Sequence, residues 1–429
     1  MTEVPPRGQP VPGTAAMPAP GRVVVIGTGM IGTSVALALR ERGSDVWLAD
    51  RDAASARLAA DIGAGTLLPG AGGALGAGAG GALRAQPGQP GESGTDGFAD
   101  IALLAVPPAA VAPALAAAQR RNLARWYTDV ASVKGFPLAQ ARALGCDLAS
   151  FVAGHPLSGR ERSGPAAARA DLFLGRPWVI CPAAENPEAA VAAVAALARA
   201  CGAEPVLVSA TEHDRWVALV SHAPHVVSAA MAARLADSSD GALALAGQGL
   251  RDVTRIAAGD SALWTQILAA NAAPVAEVLA AVAADLAAAA EALAEAAPAE
   301  SAAPESAPAE LAPPGQPAAA FPAGLSEPSA ALKILAALLD QGCAGAARIP
   351  GKRGTPPRTD ALVQVVIPDR PGELARLFEA AGKAGVNIED IGIEHSPGLP
   401  VGVAELTVRP EAVGPLTEAL ATNGWPVRG

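Results

Sequence analysis

Histidine is scarce in this chain of 429 residues, five in all, yet one sits in Gly154-His155-Pro156-Leu157-Ser158-Gly159 and three more, His213, His222 and His225, fall within thirteen positions. An imidazole fixed between glycine and proline suits a general base, because its pKa lies near neutrality. A hydrogen-bonded core histidine is the plainer reading of the same residue. Ser132, in Thr128-Asp129-Val130-Ala131-Ser132-Val133-Lys134, follows a predicted strand end; its hydroxyl fits either a ligand in the crevice at the strand ends or the cap of the next helix. Arg251 and Arg255 stand four apart and offer guanidinium forks for carboxylates, or surface salt bridges. On the helix predicted from Thr211, the residues Asp214, Ser221 and His225 share one face with His222 rotated away, and Pro224 deletes a helical hydrogen bond.

Upstream, Val23-Val24-Val25-Ile26-Gly27-Thr28-Gly29-Met30-Ile31-Gly32 reads as strand, tight turn and helix start, the arrangement that receives a dinucleotide. Gly27 permits the turn, Gly29 lets the backbone approach a pyrophosphate, and Gly32 lets helix and sheet pack closely, with Thr28, Met30 and Ile31 between them at the helix N-terminus. The next predicted strand ends Val46-Trp47-Leu48-Ala49-Asp50, placing an acid where a ribose 2′-hydroxyl would sit. Asp50 repels a 2′-phosphate and so favours NAD, against a partial offset from Arg51. Val106, ending the apolar run 101–106, joins the same cofactor-facing set.

The elements that must hold these residues follow from hydrophobic period. Apolar runs at 22–26, 45–49, 101–106, 126–130, 150–153, 178–181 and 205–208 alternate with helical patterns, which predicts an α/β Rossmann-type domain with a mostly parallel sheet over 21–210. A Gly/Ala/Pro-rich stretch, 63–97, interrupts it as a flexible insertion, and residues 1–20 carry the composition of disorder. From 211 to 297 the pattern is helical, with Thr211-Glu212-His213-Asp214 a candidate capping box. Its apolar helices, such as 272–297, offer more hydrophobic face than one small domain covers, so an all-α dimerisation domain and a homodimer are expected. A Pro/Ala/Glu/Ser linker, 298–328, leads to a connector over 329–359, with a helix at 329–341 and a basic turn at Gly351-Lys352-Arg353-Gly354. The last segment, 360–429, reads strand 361–368, helix 371–384, strand 386–395, strand 402–409, helix 411–422 and a short strand near Trp425, a βαββαβ ferredoxin-like unit. There Pro371 suits a first helical turn and Gly372 leaves the backbone open, so the helix N-terminus beside Asp369 could receive a carboxylate, with Asn387 adding a polar contact.

Composition narrows the classes. The net charge is −10 with no basic cluster, which argues against nucleic acid. No apolar run reaches about 18 residues unbroken and no basic patch precedes an apolar core at the start, so neither a membrane span nor a secretory signal is expected, and a cytoplasmic location is. Cys146, Cys181, Cys201 and Cys343 show no paired spacing, which points to reduced thiols and not to a disulfide frame or metal site.

Taken in order, Gly27 to Gly32, Asp129 to Lys134, the Gly154-His155-Pro156 loop with Gly159 and Ser163-Gly164, Ser221-His222-Ala223-Pro224-His225, and Arg251-Asp252-Val253-Thr254-Arg255-Ile256 with Trp264 and Asn271 resemble the prephenate dehydrogenase family over residues 22–298. Asp369-Arg370-Pro371-Gly372-Glu373-Leu374 and Gly385-Val386-Asn387-Ile388 look like an ACT-type regulatory domain. Departures are the 63–97 insertion, the long linker, and Ala223 where a larger apolar residue is common. The resemblance implies oxidative decarboxylation of prephenate by NAD to 4-hydroxyphenylpyruvate in tyrosine biosynthesis. It further implies His155 as base, Ser132 holding the ring hydroxyl, Arg255 on a substrate carboxylate, and Ser221, His225, Arg251 and Trp264 as further substrate contacts. Tyrosine is the implied regulatory ligand, with phenylalanine second. Arogenate is the alternative substrate. A hydroxyacid dehydrogenase would look for a lysine on the helical domain, and 211–298 contains none. A non-catalytic NAD and amino-acid sensor would not need Ser132, His155 and Arg255.

Overall fold

Val23, Val24, Val25 and Ile26 form the buried body of β1 (Arg22–Ile26), as expected of a β-branched run with helices on both faces. The computed structural model describes residues 18–69, 98–158, 164–296, 330–349, 360–395 and 400–428. Gly159, Ser163, the basic turn at 351–354, and nearly all of the expected N-terminal tail, insertion and linker lie outside the described residues. By contact density the chain forms two units, Met1–Val282 and Ala283–Gly429.

In the first unit β1 is joined by β2 (Asp45–Ala49), β3 (Thr66–Leu67), β4 (Ala99–Leu104), β5 (Ala124–Asp129), β6 (Phe151–Pro156), β7 (Pro177–Cys181) and β8 (Glu204–Leu207). Their spatial order is β3-β2-β1-β4-β5-β6-β7-β8, whose first six strands follow the doubly wound nucleotide-binding order. Every pairing is parallel except β6 with β7, which is antiparallel. Helices α1 (Met30–Glu41), α2 (Ala53–Asp61), α3 (Pro108–Arg120), α4 (Gly135–Ala143) and α5 (Glu188–Ala200) connect the strands. Val35 and Leu39 of α1 share one buried cluster with Val194 and Leu197 of α5, while Val111 and Leu115 of α3 and Leu138 of α4 join Tyr127 and Phe151 in the other. Each such side chain contributes about 1.5–3 kcal/mol of burial.

Two expectations change here. The stretch thought to begin as loop at 63 first adds an edge strand, because Leu67 and Thr66 pair with Leu48 and Trp47. The strand expected at 150–153 runs on to Pro156, so His155 lies within β6 opposite Val179 and not on a loop. Gly154 misled that reading. It is a close-approach glycine inside a strand: a Cβ there would stand 3.0 Å from Asp129 O and 3.1 Å from Trp178 Nε1.

The helical segment follows as α6 (Ala210–Val217), α7 (Ala223–Ala233), α8 (Asp240–Ala244), α9 (Gln248–Thr254), α10 (Ser261–Ala270) and α11 (Ala272–Ala296). The capping box stands two residues earlier than expected, since Ser209 Oγ accepts from Glu212 N and donates to Glu212 Oε2. Between α6 and α7, residues Ala218–His222 form a π turn, and Pro224 falls in the first turn of α7. The extra residue in that turn absorbs the hydrogen bond that Pro224 cannot donate. Among the described residues, two helical stretches, Ala210–Ala233 and Ala272–Ala296, are long and apolar enough to cross a membrane by length and composition, although charged residues interrupt both. The first carries buried His213, Asp214 and His222, a polar cluster ill suited to lipid.

The second unit holds α12 (Ala330–Ala346), longer than the helix expected at 329–341, and a four-stranded antiparallel sheet. Its elements run β9 (Ala361–Pro368), α13 (Glu373–Lys383), β10 (Asp390–His395), β11 (Val401–Val408), α14 (Val413–Thr422) and β12 (Val427–Arg428), with sheet order β10-β11-β9-β12. Val363, Val365, Leu377, Leu406, Leu416 and Trp425 pack its core.

Candidate active site

The carboxyl ends of β1, β2, β4, β5 and β6 make one edge, and the glycine turn, Asp50, Val106, Ser132 and His155 lie along it. After β1, Gly27 takes φ 101° and its Cβ would lie 2.2 Å from Ala105 O, so only glycine fits. A Cβ on Gly32 would meet Gly27 O at 2.0 Å, whereas one on Gly29 would meet nothing within 4 Å. The first two glycines therefore hold turn and helix together, and the third leaves open space in front of the α1 N-terminus. No side chain caps that terminus and no acid lies in its first turn, which leaves the amides of Met30, Ile31 and Gly32 for a phosphate. Asp50, directly after β2, accepts from Thr28 N at 2.6 Å, Thr28 Oγ1 at 2.9 Å and Asp52 N at 2.8 Å. Its carboxylate is thus braced at the crevice. Val106 follows β4 beside Gly27, where its Cγ1 would lie 3.2 Å from a Gly27 Cβ. These residues fit a dinucleotide.

Beyond β5, Ser132 does not cap α4. Its Oγ is buried and has no partner among the described residues. The first amides of α4 are instead satisfied from the helical segment: Asp214 Oδ1 accepts from Lys134 N and Asp214 Oδ2 from Gly135 N, both at 2.8 Å. The cap reading of Ser132 therefore falls and the ligand reading stays. Beneath it, Lys134 and Asp129 form a wholly buried ion pair, with Lys134 Nζ also donating to Gly154 O. Asp129 further accepts from Ala131 N and Gly154 N, at 3.1 Å each. One buried pair thus ties the Ser132 turn to the strand that carries His155.

His155 Nδ1 lies 2.9 Å from His213 Nε2, and His213 Nδ1 lies 2.8 Å from Asp214 Oδ1. Burial, then the neighbouring His213, Lys134 and His222, hold the His155 pKa well below its usual value. Burial pushes the Asp214 carboxyl up, but the bonds from His213, Gly135 and Lys134 outweigh it and leave it lowered. On the far side, Asn271 Nδ2 donates to Asp214 O at 2.8 Å and lies 3.1 Å from His222 Nδ1. Burial takes the His222 pKa down to about 4.

The π turn corrects the face assigned to this helix. One added residue rotates everything beyond it, so His222 is buried and Ser221 is exposed, the reverse of the expectation. His225 is also buried, stacked on Trp264 with ring centroids 3.6 Å apart. A Cβ on Gly259 would meet Trp264 Nε1 at 2.6 Å, so that glycine makes room for the stack. Arg251 lies within α9 and Arg255 opens a 3-10 turn, Arg255–Ala258, which packs on α7; they do not share one α-helix. Both are exposed.

Sequence reading missed His213, Lys134 and Asp129 as site residues. The signal for His213 was available, an acid directly following one of five histidines. Among the described residues, no group of three or more His, Cys, Asp or Glu side chains is placed to hold a metal ion.

In the second unit, Pro371 lies in a turn before α13 and Gly372 is the N-cap at φ 88°. The chain supplies its own anion there. Glu373 is buried and accepts from Arg370, Arg376 and Trp425 Nε1, at 2.9, 2.9 and 2.8 Å. Asn387 precedes β10 and donates to Glu389 at 2.8 Å, because the strand expected from 386 begins only at Asp390. Asp369, Pro371, Gly372 and Asn387 remain exposed.

A doubly wound sheet with an open glycine turn and a histidine at the same edge defines a dinucleotide-dependent oxidoreductase. Comparison with known proteins places it more closely. Residues 93–207 match the profile of the prephenate dehydrogenase nucleotide-binding domain, and 209–301 that of the prephenate dehydrogenase dimerization domain. Residues 22–127 also match the NADP oxidoreductase, coenzyme F420-dependent, profile. The "Probable prephenate dehydrogenase NovF" of Streptomyces niveus is 39% identical over 405 residues, covering 94% of this chain and 98% of its own. The chain belongs to the prephenate dehydrogenase family. Among solved structures, prephenate dehydrogenase from A. aeolicus, in complex with hydroxyphenyl propionate and NAD+, superposes with TM-score 0.54 at 23% identity, over 66% of this chain and 92% of its own. Synechocystis arogenate dehydrogenase gives TM-score 0.51 at 26% identity, over 64% and 92%.

Proposed function

We propose that this protein oxidises prephenate with NAD, releasing carbon dioxide and 4-hydroxyphenylpyruvate. The observation that carries the reading is that, at the same sheet edge as the open glycine turn, the buried Ser132 hydroxyl has no partner among the described residues and burial lowers the pKa of His155. When bound, the nicotinamide supplies the hydride acceptor. His155 accepts the ring hydroxyl's proton as carbonyl character develops, and Ser132 orients that hydroxyl. The proton is lent only, returning to the oxygen as loss of carbon dioxide makes the ring aromatic. Arg255 holds a substrate carboxylate, with Arg251, Ser221, His225 and Trp264 lining the remainder. Asp50 selects NAD over NADP.

The direct experiment supplies NAD with prephenate and with arogenate in separate assays and follows NADH. Turnover of prephenate is expected; turnover of arogenate alone moves the enzyme to its Synechocystis relative's substrate, and NADH from neither overturns the reading.

The assembly is a homodimer formed through the helical segment. An apolar groove of about 370 Å³, bordered by Leu219, Pro224, Val227, Val253, Ile256 and Val278, and the largely exposed α11 are the surfaces a second copy covers. The C-terminal unit is an ACT-type regulatory domain that binds tyrosine around Asp369, Gly372 and Asn387. Since Glu373 already neutralises the α13 N-terminus, the ligand's carboxylate binds beside that side chain and not in its place.

A further inference from the structure

Resting on the assignment of His155 as the base, we infer that His213 and Asp214 are positioning residues that lock His155 in the tautomer protonated on Nδ1, so that its bare Nε2 faces the substrate. Asp214 accepts two backbone N–H bonds and is held ionised by them, so it can only accept from His213 as well. The proton between Asp214 Oδ1 and His213 Nδ1 therefore belongs to Nδ1. With that one proton on its ring, His213 presents Nε2 as an acceptor, and the 2.9 Å contact then has His155 Nδ1 donating. That fixes the only remaining nitrogen, His155 Nε2, as a lone pair. Free imidazole in water prefers the opposite tautomer, with its proton on Nε2, which could not take a proton from a hydroxyl.

The same chain accommodates the proton once it arrives. A proton passing from the substrate oxygen to His155 Nε2 makes an imidazolium whose Nδ1–H keeps donating to His213 Nε2, with the Asp214 carboxylate next along the chain. Return runs in reverse, so one proton is lent and recovered and no oxidant beyond NAD is needed. The groups facing this chain are Lys134 and Asp129, paired with each other on β5 and its following turn, and His222, held by Asn271. Asp129 offsets the charge of Lys134. Asp214 is the carboxylate left to balance an imidazolium.

Asp214 also caps α4, so its removal endangers the fold; His213 is the cleaner site. His213→Phe deletes the acceptor, while His213→Gln can return a carbonyl oxygen to the Nε2 position. Nitrogen-15 histidine spectra of the wild-type protein, assigned with single substitutions among only five histidines, should show His155 protonated on Nδ1. In His213→Phe that signal should move to the Nε2-protonated form and kcat should fall by about thirtyfold or more, with KM for prephenate and NAD within about twofold. His213→Gln should keep the wild-type tautomer and recover most of kcat. Wild-type His155 protonated on Nε2, or His213→Phe with unchanged kcat, overturns the lock. The spectra need no turnover, so a protein inactive on both candidate substrates would sink the functional assignment while leaving the tautomer measurable.

Discussion

His155 and the glycines of the β1–α1 turn carry the sharpest consequences of single atoms. His155→Asn should lower kcat by about a hundredfold or more while NAD affinity, measured by titration calorimetry, stays near wild type, because the glycine turn lies three strands away in the sheet. Burial lowers the His155 pKa, so the base stays unprotonated below its ordinary value of 6.5 and the acid fall of kcat/KM should come on the acidic side of that pH. A fall centred at or above neutrality would contradict the buried site. The glycines divide by what a methyl group would meet. Gly29→Ala points into open space, so melting temperature should hold while NAD binding weakens; Gly32→Ala collides with Gly27 O and should cost about 1–3 kcal/mol of stability as well. Equal melting temperatures for both variants would refute that division. The glycine turn was legible in sequence because its chemistry is local. The His155–His213 contact was not, since it joins residues 58 apart that only the docking of α6 on β6 brings together.

The π turn at Ala218–His222 decides which helix residues face inward, and it shows why period alone misassigned this face. Pro224 was visible, but a proline can be met by a kink, a break or an added residue, and each rotates the following side chains differently. The outcome buries His222 as a neutral ring with a pKa near 4. A histidine whose folded pKa is depressed contributes stability that is complete above its unfolded value and is lost as pH falls through the folded one. The wild-type melting temperature should therefore drop between about pH 6.5 and 4 more steeply than that of His222→Gln, which cannot take up the proton. Parallel slopes in scanning calorimetry would remove His222 from the acid response. Strand centres, by contrast, were legible for β1, β2 and β4 to β8, because apolar runs between turn residues have few other solutions, whereas the two-residue β3 fell in the stretch read as an insertion. Their ends were not. Gly154 and Pro156 read as loop until β7 pairs with them.

For the whole molecule, the C-terminal βαββαβ order was readable from alternating period, whereas its ligand chemistry was not, because Glu373 turns inward and meets Arg370 of the preceding turn, Arg376 of α13 and Trp425 after α14. Deleting residues 355–429 should leave a dehydrogenase whose rate no longer falls with added tyrosine. Inhibition that survives the deletion would put tyrosine in the catalytic crevice. Association through the helical segment predicts a mass near twice 42.3 kDa in light scattering, and charged substitution at Val253 or Leu219 should shift it toward one copy.

The buried Lys134–Asp129 pair also constrains how this lineage can diverge. Replacing either residue alone strands a charge away from water at a cost of about 3–5 kcal/mol, a large share of the roughly 5–15 kcal/mol that holds a domain folded. Replacing both together with apolar residues of similar volume removes that penalty, yet it also releases Gly154 and the Ser132 turn from their shared anchor. A descendant that exchanges the pair must therefore pass through an intermediate that folds poorly, or arrive at a fold that has lost the alignment of its two reactive side chains. Drift at these two positions is closed from both directions, so the site's geometry is inherited as a unit.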